Sequence, residues 1–300
     1  MKLLKNLTLL DRFLFAETME DVEAYQALLR IILGDEALNL LTPAQTEKEF
    51  RTAPWLKSIR VDVYVMDENG TVYNTEVQQR KRDDLVRRTR YYQALIDSSL
   101  LAPGEVNYNS IKDTTIIMIM PFDLFGKDRF IYTFEEVCKE DPSLNLQDGA
   151  KRIFINTKGK NYQDVSSEFI ALMKYFEYNE DTEEPTDADS SNSNLLVIKN
   201  RVAAVKASEE VGIRYMNKWE EEDLIRHEAK EEGLAEGRAE GLAEGHAEGL
   251  NEGRAEGVDL TSTTVTRLIS GESSEDILAS GVPIDVLEAA EKLIATVKNS

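Results

Sequence analysis

Two short segments in which apolar and polar residues alternate constrain the fold of this chain more than any other feature. Residues 59–66 carry an apolar side chain at every odd position, and residues 71–78 resume a strand-like pattern. A period of two is typical of a β-strand with one buried face. The turn sequence Asp67-Glu68-Asn69-Gly70 lies between them, with glycine where a positive φ is favourable. The sequence therefore predicts a β-hairpin.

A three-residue loop over 68–70 would set the register of this hairpin, with Gly70 in the left-handed bulge position. Asp62 then lies directly opposite Glu76, and Gln78 shares their face. Directly opposed side chains have β-carbons about 4.5–5.5 Å apart, so two negative charges there repel unless a cation lies between them. Oxygen ligands of this kind suit Mg²⁺ or Mn²⁺. The alternative is a pair of solvated carboxylates on the outer face of an ordinary hairpin.

A basic segment follows the hairpin at once. Residues 80–90 contain six basic side chains and two acidic ones: Arg80, Lys81, Arg82, Arg87, Arg88 and Arg90 against Asp83 and Asp84. Positive charge beside an acidic pair is suited to binding phosphate, and Tyr91 and Tyr92 add aromatic planes that can lie along a sugar or base. The alternative is a solvated helical face with Tyr92 in the core.

Further helices are predicted over 21–33, 83–101 and 165–176, and buried strands over 114–120, 130–134 and 153–155. We expect these elements to form one domain over residues 1–178. No apolar run is long enough to span a membrane. The single cysteine, Cys138, allows no intramolecular disulfide, which is consistent with a cytoplasmic location.

The net charge of −21 is distributed unevenly. Residues 1–176 hold 23 Lys+Arg and 27 Asp+Glu, whereas residues 177–300 hold 12 and 29, so the acidity belongs to the tail. We expect an acidic linker over 179–194, a helical segment over 195–257 and a small helical region over 258–300. Glycines recur every four residues, each preceded by glutamate: Gly233, Gly237, Gly241, Gly245, Gly249, Gly253 and Gly257.

A glycine stripe of this period lets two helices approach closely, so the tail is predicted to self-associate and to limit access of DNA to the core. The alternative is a flexible acidic spacer, because each glycine destabilises a helix by about 0.8–1.0 kcal/mol relative to alanine.

Several classes of site lack candidates in the first 178 residues. Both histidines, His227 and His246, lie in the tail, so neither Ser-His-Asp nor Cys-His chemistry has the residues that it needs. The chain has no glycine-rich phosphate loop of the Walker type. Carboxylates with a hard metal ion are the remaining chemistry.

Three sequences together resemble the Rpn family of recombination-promoting nucleases and transposases. They are Ile59-Arg60-Val61-Asp62, Tyr73-Asn74-Thr75-Glu76-Val77-Gln78 and Arg88-Thr89-Arg90-Tyr91-Tyr92-Gln93. Asp11-Arg12-Phe13-Leu14-Phe15, Tyr132-Thr133-Phe134 and Ile155-Asn156-Thr157-Lys158-Gly159 fit the same family, and the resemblance covers roughly residues 7–178.

The resemblance implies an α/β fold of the PD-(D/E)XK nuclease type, a mixed sheet flanked by helices, here followed by an extended helical tail. It implies that Asp62 and Glu76 bind Mg²⁺ and that Gln78 stands where the wider superfamily often has lysine. The expected function is metal-dependent hydrolysis of DNA by Asp62, Glu76 and Gln78, with DNA contacts from Arg80, Arg87, Arg88, Arg90 and Tyr91. The rival function is a catalytically weak or inactive scaffold that binds DNA or assembles through its tail.

Overall fold

The computed structural model describes residues 2–51, 54–55, 57–179 and 193–298. Two compact units, Met1–Trp219 and Glu220–Ser300, divide the chain. The first contains a six-stranded sheet: β1 Gln45–Phe50, β2 Ile59–Met66, β3 Val72–Val77, β4 Thr114–Met120, β5 Ile131–Phe134 and β6 Ala150–Asn156. The strand order is β1-β2-β3-β4-β6-β5, and the sheet is mixed, because β4 pairs in parallel with β3 and β6 while the other pairs are antiparallel.

The helices account for most of the remaining described residues. They are α1 Arg12–Met19, α2 Val22–Leu33, α3 Leu85–Leu100, α4 Ser167–Glu177, α5 Ser193–Ala207, α6 Glu209–Ile269, α7 Ser274–Ala279 and α8 Ile284–Lys298. The predicted helices correspond to α2, α3 and α4, and the predicted strands correspond to β2 to β6. Neither α1 nor β1 was predicted.

The two faces of the sheet are covered by different helices. Apolar residues of α1, α2, α4 and α5 form one core with odd-numbered strand residues such as Val63 and Ile117. Helix α3 packs with a second cluster that includes Tyr64, Val72 and Ile116. The two clusters do not divide strictly by residue parity, because Ile59 and Val61 at the start of β2 also belong to the cluster of α3.

Helix α5 is part of the first core. Leu195, Ile198, Val202 and Val205 are each 4% exposed or less and pack with α1 and α2. The compact unit therefore extends to Trp219, past the boundary predicted at residue 178, because the core is completed by this helix. Residues 180–192 of the predicted linker lie outside the described residues.

The second unit consists of the later part of α6 with α7 and α8. Helix α6 ends before Gly271, whose φ of 93° stops a right-handed helix, so residues 258–269 of the predicted C-terminal region belong to the long helix. At each of the seven repeat glycines the position that a β-carbon would occupy is open, with no atom within 4 Å of it, so nothing in the described part of the chain packs against these glycines there. Among the described residues, no helix has the length and apolar character needed to cross a membrane.

Candidate active site

The hairpin of β2 and β3 has the predicted register. Val63 pairs with Thr75 and Tyr64 with Asn74, where the ladder ends; the same register extended by one residue would set Asp62 opposite Glu76. The loop is closed by a hydrogen bond of 3.0 Å from the Asp67 N–H to the Thr71 carbonyl, and Gly70 has a φ of 84°. The prediction of a three-residue loop with a left-handed glycine is therefore confirmed.

Asp62 and Glu76 are tied to the main chain and to each other. The Asp62 N–H donates to Glu76 Oε1 at 2.8 Å, and the Val77 N–H donates to Asp62 Oδ2 at 3.1 Å. Both residues are 2% exposed. Burial raises the pKa of Asp62, although Arg12 opposes this, and burial together with the negative charge of Asp62 raises the pKa of Glu76. The pair therefore favours a positive charge beside it.

Two guanidinium groups supply positive charge at this pair. Arg12, the first residue of α1, donates from Nε to Asp62 Oδ1 at 2.7 Å, and its Nη2 donates to the same oxygen. Arg88 of α3 lies with Nη2 3.9 Å from Glu76 Oε2. Each carboxylate thus has one oxygen bound to the main chain and the other facing an arginine.

A cavity of about 310 Å³ opens beside these groups. Its lining consists of Arg12, Arg60, Glu76, Val77, Gln78, Arg88 and Tyr92. Gln78 donates from Nε2 to the Arg80 carbonyl at 2.7 Å. Tyr92 of α3 packs in the core between this helix and the sheet, as the alternative interpretation expected, and it also lines the cavity. Burial raises the pKa of Tyr92 to about 12, so its hydroxyl stays protonated at neutral pH.

The structure brings only one of the predicted DNA-binding residues into the cavity, namely Arg88. Arg80, Arg87 and Arg90 are exposed and lie outside the cavity lining. Tyr91 is 38% exposed, and its hydroxyl donates to the Lys57 carbonyl at 2.7 Å. Four of the five predicted DNA-binding residues therefore lie outside the cavity lining.

Arg12 and Arg60 were not predicted as site residues. Arg60 had a usable signal, because it lies two residues before Asp62 on a strand and therefore shares its face. Arg12 lies in the family-like segment Asp11–Phe15, but no local pattern indicated its contact with Asp62, which spans fifty positions of sequence. The neighbouring Asp11 accepts hydrogen bonds from the Phe13 and Leu14 N–H groups and so caps the N-terminus of α1.

The donor set at the acid pair suits a hard divalent cation. Among the described residues, no group of three or more His, Cys, Asp or Glu side chains is arranged to hold a metal ion. Mg²⁺, however, is commonly bound by one or two carboxylates and keeps part of its water or takes oxygens of a substrate phosphate. Asp62 and Glu76 fit that mode, provided that Arg12 leaves Asp62 Oδ1.

A comparison with protein families supports the same interpretation of the fold. Residues 12–226 match the family described as PD-(D/E)XK nuclease family transposase. Neither the curated proteins nor the solved structures gave a match. The matched region covers more than two thirds of the chain and includes the hairpin, the basic helix and α5, which confirms the family resemblance. The mixed sheet with its flanking helices and the matched region together place this chain in the PD-(D/E)XK nuclease family transposases.

Proposed function

We propose that this protein is a metal-dependent endonuclease that hydrolyses phosphodiester bonds in DNA. The observation that carries the proposal is the buried pair Asp62 and Glu76, in which each carboxylate faces an arginine and Glu76 lines an open polar cavity. Membership of a nuclease family supports a nuclease-type function. An acid pair with nearby arginines is suited to phosphodiester chemistry, because the negative charge of the phosphate needs positive partners.

Asp62 and Glu76 would bind Mg²⁺ or Mn²⁺. When bound, such a metal lowers the pKa of a coordinated water and offsets negative charge on the phosphate. The main-chain hydrogen bonds to both carboxylates fix their orientation before the metal arrives. Gln78 would orient the attacking water by hydrogen bonding, since an amide cannot supply the positive charge of a lysine.

The DNA contacts are assigned to Arg80, Arg87, Arg88, Arg90 and Tyr91. Arg88 would bind a phosphate near the bond that is cut, because it lines the cavity beside Glu76. The three exposed arginines would contact phosphates farther along the backbone, and Tyr91 would offer its ring face.

The tail is proposed to form a homo-oligomer. In the second unit, apolar side chains recur every eight residues on the exposed surface of α6: Leu234, Leu242 and Leu250, followed by Val258, each at least 50% exposed. A further apolar groove of about 940 Å³ lies between the end of α6 and α8. Exposed apolar surface of this extent favours association with another chain.

The tail is also proposed to limit DNA binding, because residues 177–300 carry a net charge of −17. A chain ending after Trp219 should be monomeric and should bind DNA more tightly at low salt. A cut after residue 178 would not test this, because it removes α5 from the core. For the location we propose the cytoplasm, which the single cysteine supports.

A second candidate function is a scaffold with the same fold and little or no activity. It is favoured by the side chain of Gln78, whose amide is engaged by the Arg80 carbonyl, and by Arg12, which occupies Asp62. Such a protein would bind DNA or assemble through its tail without cutting.

Digestion of supercoiled plasmid in Mg²⁺ or Mn²⁺ separates the two candidates. We expect the wild-type protein to nick the plasmid and Asp62→Ala to be inactive but folded. Glu68→Ala is the matched control, because it removes an exposed carboxylate from the loop of the same hairpin. Inactive wild-type protein that still binds DNA would favour the scaffold, and joined rather than cut products would indicate strand transfer.

A further inference from the structure

Three arginines from separate elements converge on the cavity. Arg12 comes from α1, Arg60 from β2 and Arg88 from α3. Only Arg88 belongs to the basic segment that follows the hairpin. Planar guanidinium groups match the oxygens of a phosphate with paired hydrogen bonds, so such a cavity is suited to a phosphate group.

The contact between Arg12 and Asp62 is asymmetric in exposure. The Arg12 side chain is 57% exposed, whereas that of Asp62 is 2% exposed. Asp62 is held by the Val77 N–H through Oδ2, and Arg12 binds only the other oxygen. Arg12 can therefore swing away without opening the core, and its departure leaves Asp62 Oδ1 available in an unchanged orientation.

Each carboxylate faces a guanidinium group in this arrangement. Arg12 faces Asp62 and Arg88 faces Glu76, while Arg60 adds a third positive charge to the cavity lining. A divalent cation that binds alone would be repelled by the two arginines at the carboxylates. A phosphate that binds alone would be repelled by the two carboxylates. When both ligands bind, the carboxylates can face the metal and the arginines can face the phosphate, so each ligand removes the repulsion that opposes the other.

We propose that Arg12 exchanges partners during substrate binding. It neutralises Asp62 in the free protein, and it transfers to a phosphate oxygen of DNA when a divalent cation takes its place on the carboxylate. The consequence is cooperative binding of the metal and the phosphate. This inference rests on the proposed function, since it assumes that Asp62 and Glu76 bind a metal.

Binding of Mn²⁺ to the full-length wild-type protein tests the exchange without catalysis. Free Mn²⁺ is measured by electron paramagnetic resonance, with and without sulfate as a tetrahedral dianion, at constant ionic strength and with protein-free controls. Sulfate should tighten Mn²⁺ binding roughly tenfold, within the range usual for coupled sites. Mn²⁺ binding that sulfate leaves unchanged would overturn the exchange and leave the proposed metal site standing. Absence of Mn²⁺ binding in both conditions would overturn the metal site as well.

Two variants assign the coupling to Arg12. Arg12→Gln should bind Mn²⁺ more tightly than wild type in the absence of sulfate, because Asp62 is no longer occupied, and the effect of sulfate should disappear. Arg60→Gln is the matched control, because it removes one positive charge from the same cavity but leaves the Arg12–Asp62 pair. Sulfate should still tighten Mn²⁺ binding in Arg60→Gln, by a smaller factor than in wild type because one of the three cavity arginines is missing. Equal loss in both variants, or coupling retained in Arg12→Gln, would refute the role of Arg12. If Arg12→Gln fails to fold, Arg12→Lys takes its place: lysine keeps the charge but lacks the paired donors of the guanidinium, so the effect of sulfate should fall, and an effect equal to wild type would refute the role of Arg12.

Discussion

Glu76→Gln tests whether the buried charge of Glu76 lowers the stability of the metal-free protein. Glutamine has nearly the shape of glutamate and can still accept the hydrogen bond from the Asp62 N–H. The substitution therefore removes one negative charge from a side chain that is almost fully buried and changes little else.

The opposing electrostatic effects can be compared at an effective dielectric constant of about 20. Repulsion between charges about 5 Å apart, as for opposed carboxylates, is about 3 kcal/mol, and attraction to Arg88 at 3.9 Å is about 4 kcal/mol. These nearly cancel, so the desolvation of a buried charge decides the sign. We expect Glu76→Gln to stabilise the metal-free protein by about 1–3 kcal/mol and to raise its Tm by roughly 2–12 °C.

The assay is thermal unfolding of both proteins with a chelator at pH 6 and pH 9. Burial and Asp62 raise the pKa of Glu76, so the folded wild type binds a proton more tightly than the unfolded chain. Wild-type stability from this group is therefore lost as pH rises through the raised pKa, and the advantage of Glu76→Gln should be larger at pH 9. The variant should also fail to cut plasmid. A lower Tm for the variant at both pH values would refute this reasoning.

Arg88→Gln and Arg90→Gln should each weaken binding to all DNA sequences alike, as measured by fluorescence anisotropy. Each should also reduce the slope of log binding constant against log salt concentration by about one. An unchanged slope would show that the residue is a surface charge without a phosphate contact. Only Arg88→Gln should also change Mn²⁺ binding, because Arg90 lies about 200° around the helix from it. Tyr25→Phe should lower the free energy of unfolding in urea by about 1–2 kcal/mol, because the buried tyrosine hydroxyl lies 2.8 Å from Thr75 Oγ1; an unaltered midpoint would contradict this. Alanine at Gly245 and its two neighbours in the repeat should raise helix content by circular dichroism and weaken self-association in sedimentation, and unaltered association would exclude glycine contacts between helices.

The hairpin could be predicted from the sequence because its signals are local. The alternation of β2, the turn ending in Gly70 and the resumed pattern of β3 together determine which residues lie opposite each other. The position of Asp62 relative to Glu76 therefore needed no knowledge of the rest of the fold. Helix α3 was predicted for the same reason, since its apolar residues recur at helical spacing.

The features that escaped prediction depend on distant partners or have weak patterns. Strand β1 is mostly polar and lies at an edge of the sheet, so only Phe50 of its residues is buried and no alternation is visible. Helix α1 is short, and the role of Arg12 exists only because folding brings it to Asp62. Helix α5 was predicted as helical, but its sequence does not say which core it joins.

The three-residue loop of the hairpin also limits how this chain can be altered by insertion or deletion. One residue added within β2 between Asp62 and the loop would turn Asp62 to the opposite face of the sheet from Glu76, unless a bulge absorbed it. Two added residues would keep its face but displace it along the ladder from Glu76. Length changes that spare the acid pair are thus confined to the tip of the loop, where Gly70 already needs a backbone conformation that other residues rarely adopt. A library that varies segment lengths should therefore leave the strand residues 62–67 and 71–76 unchanged in number.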